Sequence, residues 1–151
     1  MKYTSEIIIE VTLEDFIKKF DNPENLKHWQ QGLVGYEHIG GTIGSIGSKM
    51  KLNYKMGKRK IELTETITYC KLPYEFHASY DTDGLHNLQE NYFEETPEGF
   101  TKWISKNEFI PTSFTLRMMT LLMPKAFKKQ SMIYLKAFKR FAEKGISVNY
   151  A

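Results

Sequence analysis

The chain has 151 residues, 41% hydrophobic and 14% aromatic, enough apolar material to fill one core and to predict a single domain over 1–151. Its one cysteine, Cys70, excludes an internal disulfide and fits a reducing compartment, and no repeat, low-complexity tract or Pro/Ser-rich hinge divides the sequence. The net charge of +3 hides an asymmetry: Phe114 to Lys144 carries eight Lys/Arg against Glu143 alone, so that the rest of the chain is acidic.

The opening MKYTSEIIIEVTLEDF, broken by Glu6 and Glu10, predicts neither a secretory leader nor a membrane anchor, and the run Met118 to Met123 is too short to cross a bilayer. A cytoplasmic chain is the expectation. Tyr3, Ser5, Ile7, Ile9 and Val11 alternate with Thr4, Glu6 and Glu10, the pattern of a strand with one buried side. Thr12 then caps a short helix, with Asp15 at the capping-box position and Leu13, Phe16, Ile17 and Phe20 on its apolar side. Asn22-Pro23-Glu24 starts a second short helix carrying Leu26 and Trp29, which Gly32 ends. Leu33 to Gly41 reads as a strand, followed by a loose connection through Gly44 and Gly47.

Met50, Leu52, Tyr54 and Met56 alternate with lysines and Asn53 up to a turn at Gly57-Lys58. Ile61, Leu63, Glu65, Ile67 and Tyr69 share the next inward phase, which sets the carboxylate of Glu65 among apolar neighbours. Phe76, Ala78 and Tyr80 follow Leu72-Pro73, and Asp83-Gly84 turns the chain again. A hairpin of Leu85 to Glu94 and Phe100 to Phe109, joined through Pro97-Glu98-Gly99, completes seven strands. Lys102, Lys106 and Glu108 face out, so Trp103, Ser105, Asn107 and Phe109 face in. Pairing Glu94 with Phe100 turns Asn87, Gln89, Asn91 and Phe93 inward as well, and a slip of one residue brings in Leu88, Glu90 and Tyr92 instead. The first register is preferred. Either one gives an inner surface that is apolar with several polar groups, as a ligand cavity requires.

The last third is the plainest stretch. Phe127, Ser131, Tyr134, Leu135, Phe138, Phe141 and Ala142 recur at helical spacing, with Lys125, Lys128, Lys129, Lys136, Lys139, Arg140 and Lys144 between them. Pro124 suits the first turn of this helix and Gly145 its stop. Its basic face is expected to be mainly solvated.

Several segments together resemble the SRPBCC superfamily, the START-like or Bet v 1-like helix-grip group that includes polyketide cyclase/dehydratase-like proteins. They are Asn22-Pro23-Glu24-Asn25-Leu26 with Trp29, Gly44-Ser45-Ile46-Gly47-Ser48-Lys49-Met50, Glu65-Thr66-Ile67 before Leu72-Pro73, and the Phe93 to Phe100-Thr101 hairpin that leads into a Met-rich segment and the final helix. The resemblance covers nearly the whole chain. It implies an α+β fold in which a curved seven-stranded antiparallel sheet grips a long C-terminal helix, with two short helices after strand 1. It also implies a cavity lined by Met50, Leu52, Tyr54, Glu65, Ile67, Trp103, Ser105 and Asn107 and covered by Phe114, Met118, Phe127, Ser131, Tyr134 and Phe138. Gln89 and Asn91 join that lining in the preferred register.

His28, His38, His77 and His86 show no metal-ligand spacing, the glycine series lacks a phosphate-loop Lys-Ser/Thr, and no serine or cysteine sits in a nucleophile motif. No metal or organic cofactor is expected. Glu65 is the one candidate catalytic group, with His77 or Tyr54 as its conceivable titratable partner. Ser105, Asn107 and Gln89 orient ligands better than they move protons. The expected function is binding of a small hydrophobic or lipid-like molecule, the expected partner being that ligand, with no nucleic acid and no stable membrane insertion. The alternatives are a cyclase/dehydratase-type enzyme and an interaction module using the basic helix face.

Overall fold

Alternation over the first residues becomes β1 (Lys2–Ile9), and Thr12 caps α1 (Leu13–Phe20) by accepting the Asp15 N–H at 3.2 Å. In the structure, a computed structural model that describes residues 1–148, a 3-10 turn at Pro23–Asn25 leads into α2 (Leu26–Trp29). The last three residues of the expected 1–151 span lie outside the described residues. Six strands follow: β2 (Leu33–Gly40), β3 (Lys49–Met56), β4 (Arg59–Lys71), β5 (Glu75–Thr82), β6 (Leu85–Glu95) and β7 (Thr101–Pro111). They form one antiparallel sheet with β1 in the order β1-β7-β6-β5-β4-β3-β2. Two helices end the chain, α3 (Phe114–Leu122) and α4 (Pro124–Lys144).

The long helix has the bounds expected of it, starting at Pro124 and stopping at Gly145, which takes φ 68 as a left-handed cap. The residue before a proline is biased out of the helical region, and Met123, at φ −131 and ψ 52, breaks the helical run there. The Met-rich segment is therefore a helix of its own. Leu135, Ala137, Phe138 and Ala142 are the buried positions of α4, while Phe127, Ser131, Tyr134 and Phe141 are half-buried. The lysine face is exposed except at Lys139, whose ammonium donates to Ile8 O at 2.7 Å and to Glu143 Oε2 at 2.6 Å.

Two apolar clusters result. The larger gathers Ile9, Leu13, Phe16, Trp29, Phe93, Trp103, Leu135 and Phe138, so that α1, α2 and α4 close on one end of the sheet. The smaller, Leu33, Leu52 and Tyr54, lies under β2 and β3.

Two strand details depart from expectation. The β6–β7 hairpin pairs Glu95 with Thr101 and Glu94 with Lys102, two residues away from a Glu94–Phe100 pairing. A shift of two preserves the faces, and Asn87, Asn91 and Phe93 are indeed buried. In β4 a bulge between Ile67 and Tyr69 reverses the phase, so Tyr69 leaves the inner face and meets His77 at a tilt, with ring centroids 5.4 Å apart.

Candidate functional site

The strand registers align inner-face side chains in rows across the sheet. Ile7, Trp103 and Phe93 form an apolar row belonging to the larger cluster. Beside it runs Ser5, Ser105, Asn91, and then Tyr3, Asn107, Gln89, Ala78, Ile67. The next row is Phe109, Asn87, Tyr80, Glu65, Met50. Beyond it the inner face is apolar again, with Leu52 opposite Leu63 and Tyr54 opposite Ile61. A polar belt thus crosses the inner face between the two apolar clusters.

The belt is hydrogen-bonded in series. Trp103 Nε1 donates to Asn91 Oδ1 at 2.9 Å, Asn91 Nδ2 to Gln89 Oε1 at 3.0 Å, Gln89 Nε2 to Asn107 Oδ1 at 3.0 Å, and Asn107 Nδ2 to Ser105 Oγ at 3.1 Å. Asn87 Nδ2 adds a longer bond to Asn107 Oδ1 at 3.3 Å. Across from Ser105, the buried hydroxyl of Ser5 makes no hydrogen bond among the described residues. Buried amides and hydroxyls normally find partners, so this belt holds five polar side chains in fixed orientations with one hydroxyl left over.

At the other end of the belt, Glu65 sits between Met50 and Tyr80 and accepts the Tyr80 hydroxyl at 2.8 Å. Burial pushes its carboxyl above the ordinary value, opposed by the Tyr80 hydrogen bond, and no cationic side chain contributes. Burial likewise raises the Tyr80 and Tyr54 phenols, with Glu65 adding to both and Tyr134 of α4 adding to Tyr54. The Tyr54 hydroxyl donates to Gln30 Oε1 at the end of α2. The result is a carboxyl held near two phenols, those of Tyr80 and Tyr54. It can exchange a proton, donate a hydrogen bond when neutral, or hold a cation when ionised.

The expected site residues divide. Met50, Leu52, Tyr54, Glu65, Ile67, Gln89, Asn91, Trp103, Ser105 and Asn107 share the inner face as anticipated from their strand phases. Phe138 lies in the larger apolar cluster. Phe127 and Ser131 belong to the seam between α4 and β1: the Tyr3 hydroxyl donates to Phe127 O at 3.0 Å and lies 2.5 Å from Ser131 Oγ, and the Phe127 ring meets Phe109 at 5.0 Å. Phe114 and Met118 are exposed on α3. His77 is on the opposite face of the sheet between Tyr69 and Tyr92, so of the two suggested partners for Glu65 it is Tyr54 that shares its side. Tyr80, Asn87, Tyr3 and Ser5 were not singled out. Their strand alternation carries the signal, but which of them meets Glu65 or Ser105 depends on pairings made across the sheet.

Two open recesses lie elsewhere. One of about 320 Å³ is bordered by Leu13, Ile17, Pro73, Tyr74 and Glu95, and one of about 470 Å³ by Pro23, Lys27, Leu33, Val34 and Tyr36. Leu33 apart, they involve none of the residues of the two apolar clusters' sheet faces or of the polar belt. Among the described residues no three His, Cys, Asp or Glu side chains gather as metal ligands would, and no helix is long and apolar enough to cross a membrane.

No protein-family model and no curated protein matches the sequence. Solved structures do match. Ara h 8.0201 superposes with a TM-score of 0.72 at 13% identity, covering 94% of this chain and 97% of its own. An AHSA1-like protein from Aeromonas hydrophila gives 0.69 at 20% identity, covering 96% and 94%. Protein SA2116 from Staphylococcus aureus gives 0.78 at 10% identity over the same shares. At such identities the likeness is one of architecture, and with the strand order and the C-terminal helix already described it gives the chain the helix-grip fold that these structures share.

Proposed function

We propose that the chain binds a small, largely apolar molecule carrying at least one hydrogen-bonding or cationic group, between the inner face of the sheet and α4. Glu65 and the Asn/Gln/Ser belt would orient its polar part, and Leu52, Tyr54, Ile67 and Trp103 would contact its apolar part. The observation that carries this reading is the belt itself. A sheet face whose only task is to pack a helix gains nothing from five buried or half-buried polar side chains and a carboxyl compensated by one tyrosine hydroxyl, since each costs desolvation that apolar residues avoid. The fold supports the reading by setting sheet and long helix face to face.

The position of Glu65 also favours a second reading, in which the bound molecule is a substrate of cyclase/dehydratase-type chemistry. A carboxyl raised by burial and bonded to Tyr80, with Tyr54 nearby, is equipped to move a proton.

One experiment separates them. A panel of apolar amines, aromatic polyols, fatty acids and polyketide-like compounds is screened by thermal shift and native mass spectrometry on wild type and Glu65→Gln, with product analysis of every hit. Pure binding predicts altered affinity without turnover. Catalysis predicts that kcat falls far more than affinity, because the proton moves only in the transition state. Hits whose affinity is indifferent to Glu65→Gln and to Asn107→Ala would remove the belt as the site.

A further inference from the structure

The third helix shows solvent its greasier side. Phe114, Met118, Leu121 and Leu122 stand at i, i+4, i+7 and i+8, one stripe of α3, and are 78%, 36%, 69% and 73% exposed. The opposite side, Leu116 and Thr120, is the half-buried one, with Leu116 reaching the turn at Gly84. None of the residues of α3 is buried, and Met123 at the elbow into α4 is 53% exposed. An amphipathic helix resting on a domain ordinarily turns the other way, and contiguous exposed apolar side chains mark a surface that something else covers.

Charge indicates what. From Phe114 to Ala142 the sequence holds no Asp or Glu, and the stripe is flanked by exposed Arg117, Lys125, Lys128 and Lys129. The antiparallel order puts the β3–β4 turn at the same end of the sheet as the start of α3, and that turn brings exposed Lys55, Lys58, Arg59 and Lys60. We infer that the α3–α4 elbow is a reversible attachment site for an anionic lipid surface, with Phe114, Leu121, Leu122 and Met123 entering the boundary between headgroups and acyl chains while the flanking lysines meet the phosphates. Both interfacial ingredients are present, an apolar stripe of a few large side chains and a basic rim. A nucleic acid would use the lysines but gain nothing from Leu121 and Leu122. The site stands on the opposite side of α3 from the sheet, so it holds whether or not the inner face binds a ligand.

The test uses the full-length chain in flotation with vesicles of phosphatidylcholine alone and of phosphatidylcholine with about one-third phosphatidylglycerol. Binding is expected to the anionic vesicles and not to the neutral ones, weakening as salt rises. Leu121→Ser with Leu122→Ser should lower the partition coefficient at least about tenfold. Its melting temperature should stay that of wild type, since both side chains are already exposed. Lys128→Gln with Lys129→Gln should weaken binding about tenfold and flatten the salt dependence. Absence of wild-type binding, equal binding to neutral vesicles, or binding untouched by the Leu121/Leu122 pair would each overturn the inference. So would a concentration-dependent dimer in sedimentation that the same pair dissolves, which would give the stripe to a second copy of the chain.

Discussion

A buried carboxyl between Met50 and Tyr80, with the Tyr54 phenol nearby, must be neutral or pay for its charge, and Glu65 has only the Tyr80 hydroxyl as compensation. Because its folded-state pKa lies above the ordinary 4.5, the native chain holds the proton more tightly than the unfolded one. Its contribution to stability is fully present below that ordinary value and is lost as pH rises through the folded pKa. Glu65→Gln keeps the shape and an acceptor for Tyr80 without titrating. The stability difference, wild type minus variant, measured by urea unfolding at successive pH values, should therefore fall from pH 4.5 upward and then level off; a difference flat across that range would show that Glu65 does not titrate as argued. Ser5 offers a complementary case, being buried with an unpartnered hydroxyl. Ser5→Ala should leave stability within about 1 kcal/mol of wild type or raise it, because no hydrogen bond is broken. Glu65 itself was legible from strand phase alone. Tyr80 as its partner was not, because alternation says which face a residue takes and not whom it meets there; and Tyr69 was misplaced because a single-residue bulge leaves no mark in the alternation.

Among the elements, α4 was the most legible, since Pro124, Gly145 and a helical stripe of aromatics are all local signals. Its buried stripe also includes Ala137, which is too small to stand out in a hydrophobic pattern. Phe138, fully buried and packed edge-on against Trp29 and Trp103 at centroid distances of 5.2 and 5.5 Å, is the keystone of the larger cluster. Phe138→Ala should cost about 3–5 kcal/mol in chemical denaturation, and a loss under about 1 kcal/mol would mean that the cluster is held otherwise. The seat of α3 is specified by a glycine. Gly84 takes φ +78, and a Cβ there would lie 2.8 Å from Ser113 Oγ and 2.9 Å from Leu116 Cδ1, the N-cap of α3 and its one inward leucine. Gly84→Ala is expected to cost about 1–3 kcal/mol through backbone strain and displacement of α3. That α3 would be a separate helix follows from Pro124 acting on Met123, but that it would turn Leu121 and Leu122 outward was not visible, because periodicity gives a stripe and not the direction in which it faces.

For the molecule as a whole, the arrangement implies unequal local stability. The two apolar clusters bind β1 through β7, α1, α2 and the second half of α4 into mutually dependent packing, whereas α3 contributes no member to either. A nine-residue helix is too short to persist on its own propensity, so what holds α3 is its Ser113 cap, at 3.2 Å from the Leu116 N–H, and the contact of Leu116 and Thr120 with what lies beneath. Its opening therefore needs none of the core to separate. In hydrogen exchange followed by mass spectrometry, α3 amides should exchange through a low-energy opening that barely responds to mild denaturant, while those of β6, β7 and residues 135–142 of α4 should exchange only with steep denaturant dependence, near the global unfolding free energy. Ser113→Ala should speed exchange in α3 selectively, by about the five- to tenfold that losing an N-cap of roughly 1 kcal/mol allows. If α3 instead exchanged in step with β6 and β7, it would be part of the cooperative core, and its outward leucines would be the surface of a rigid element.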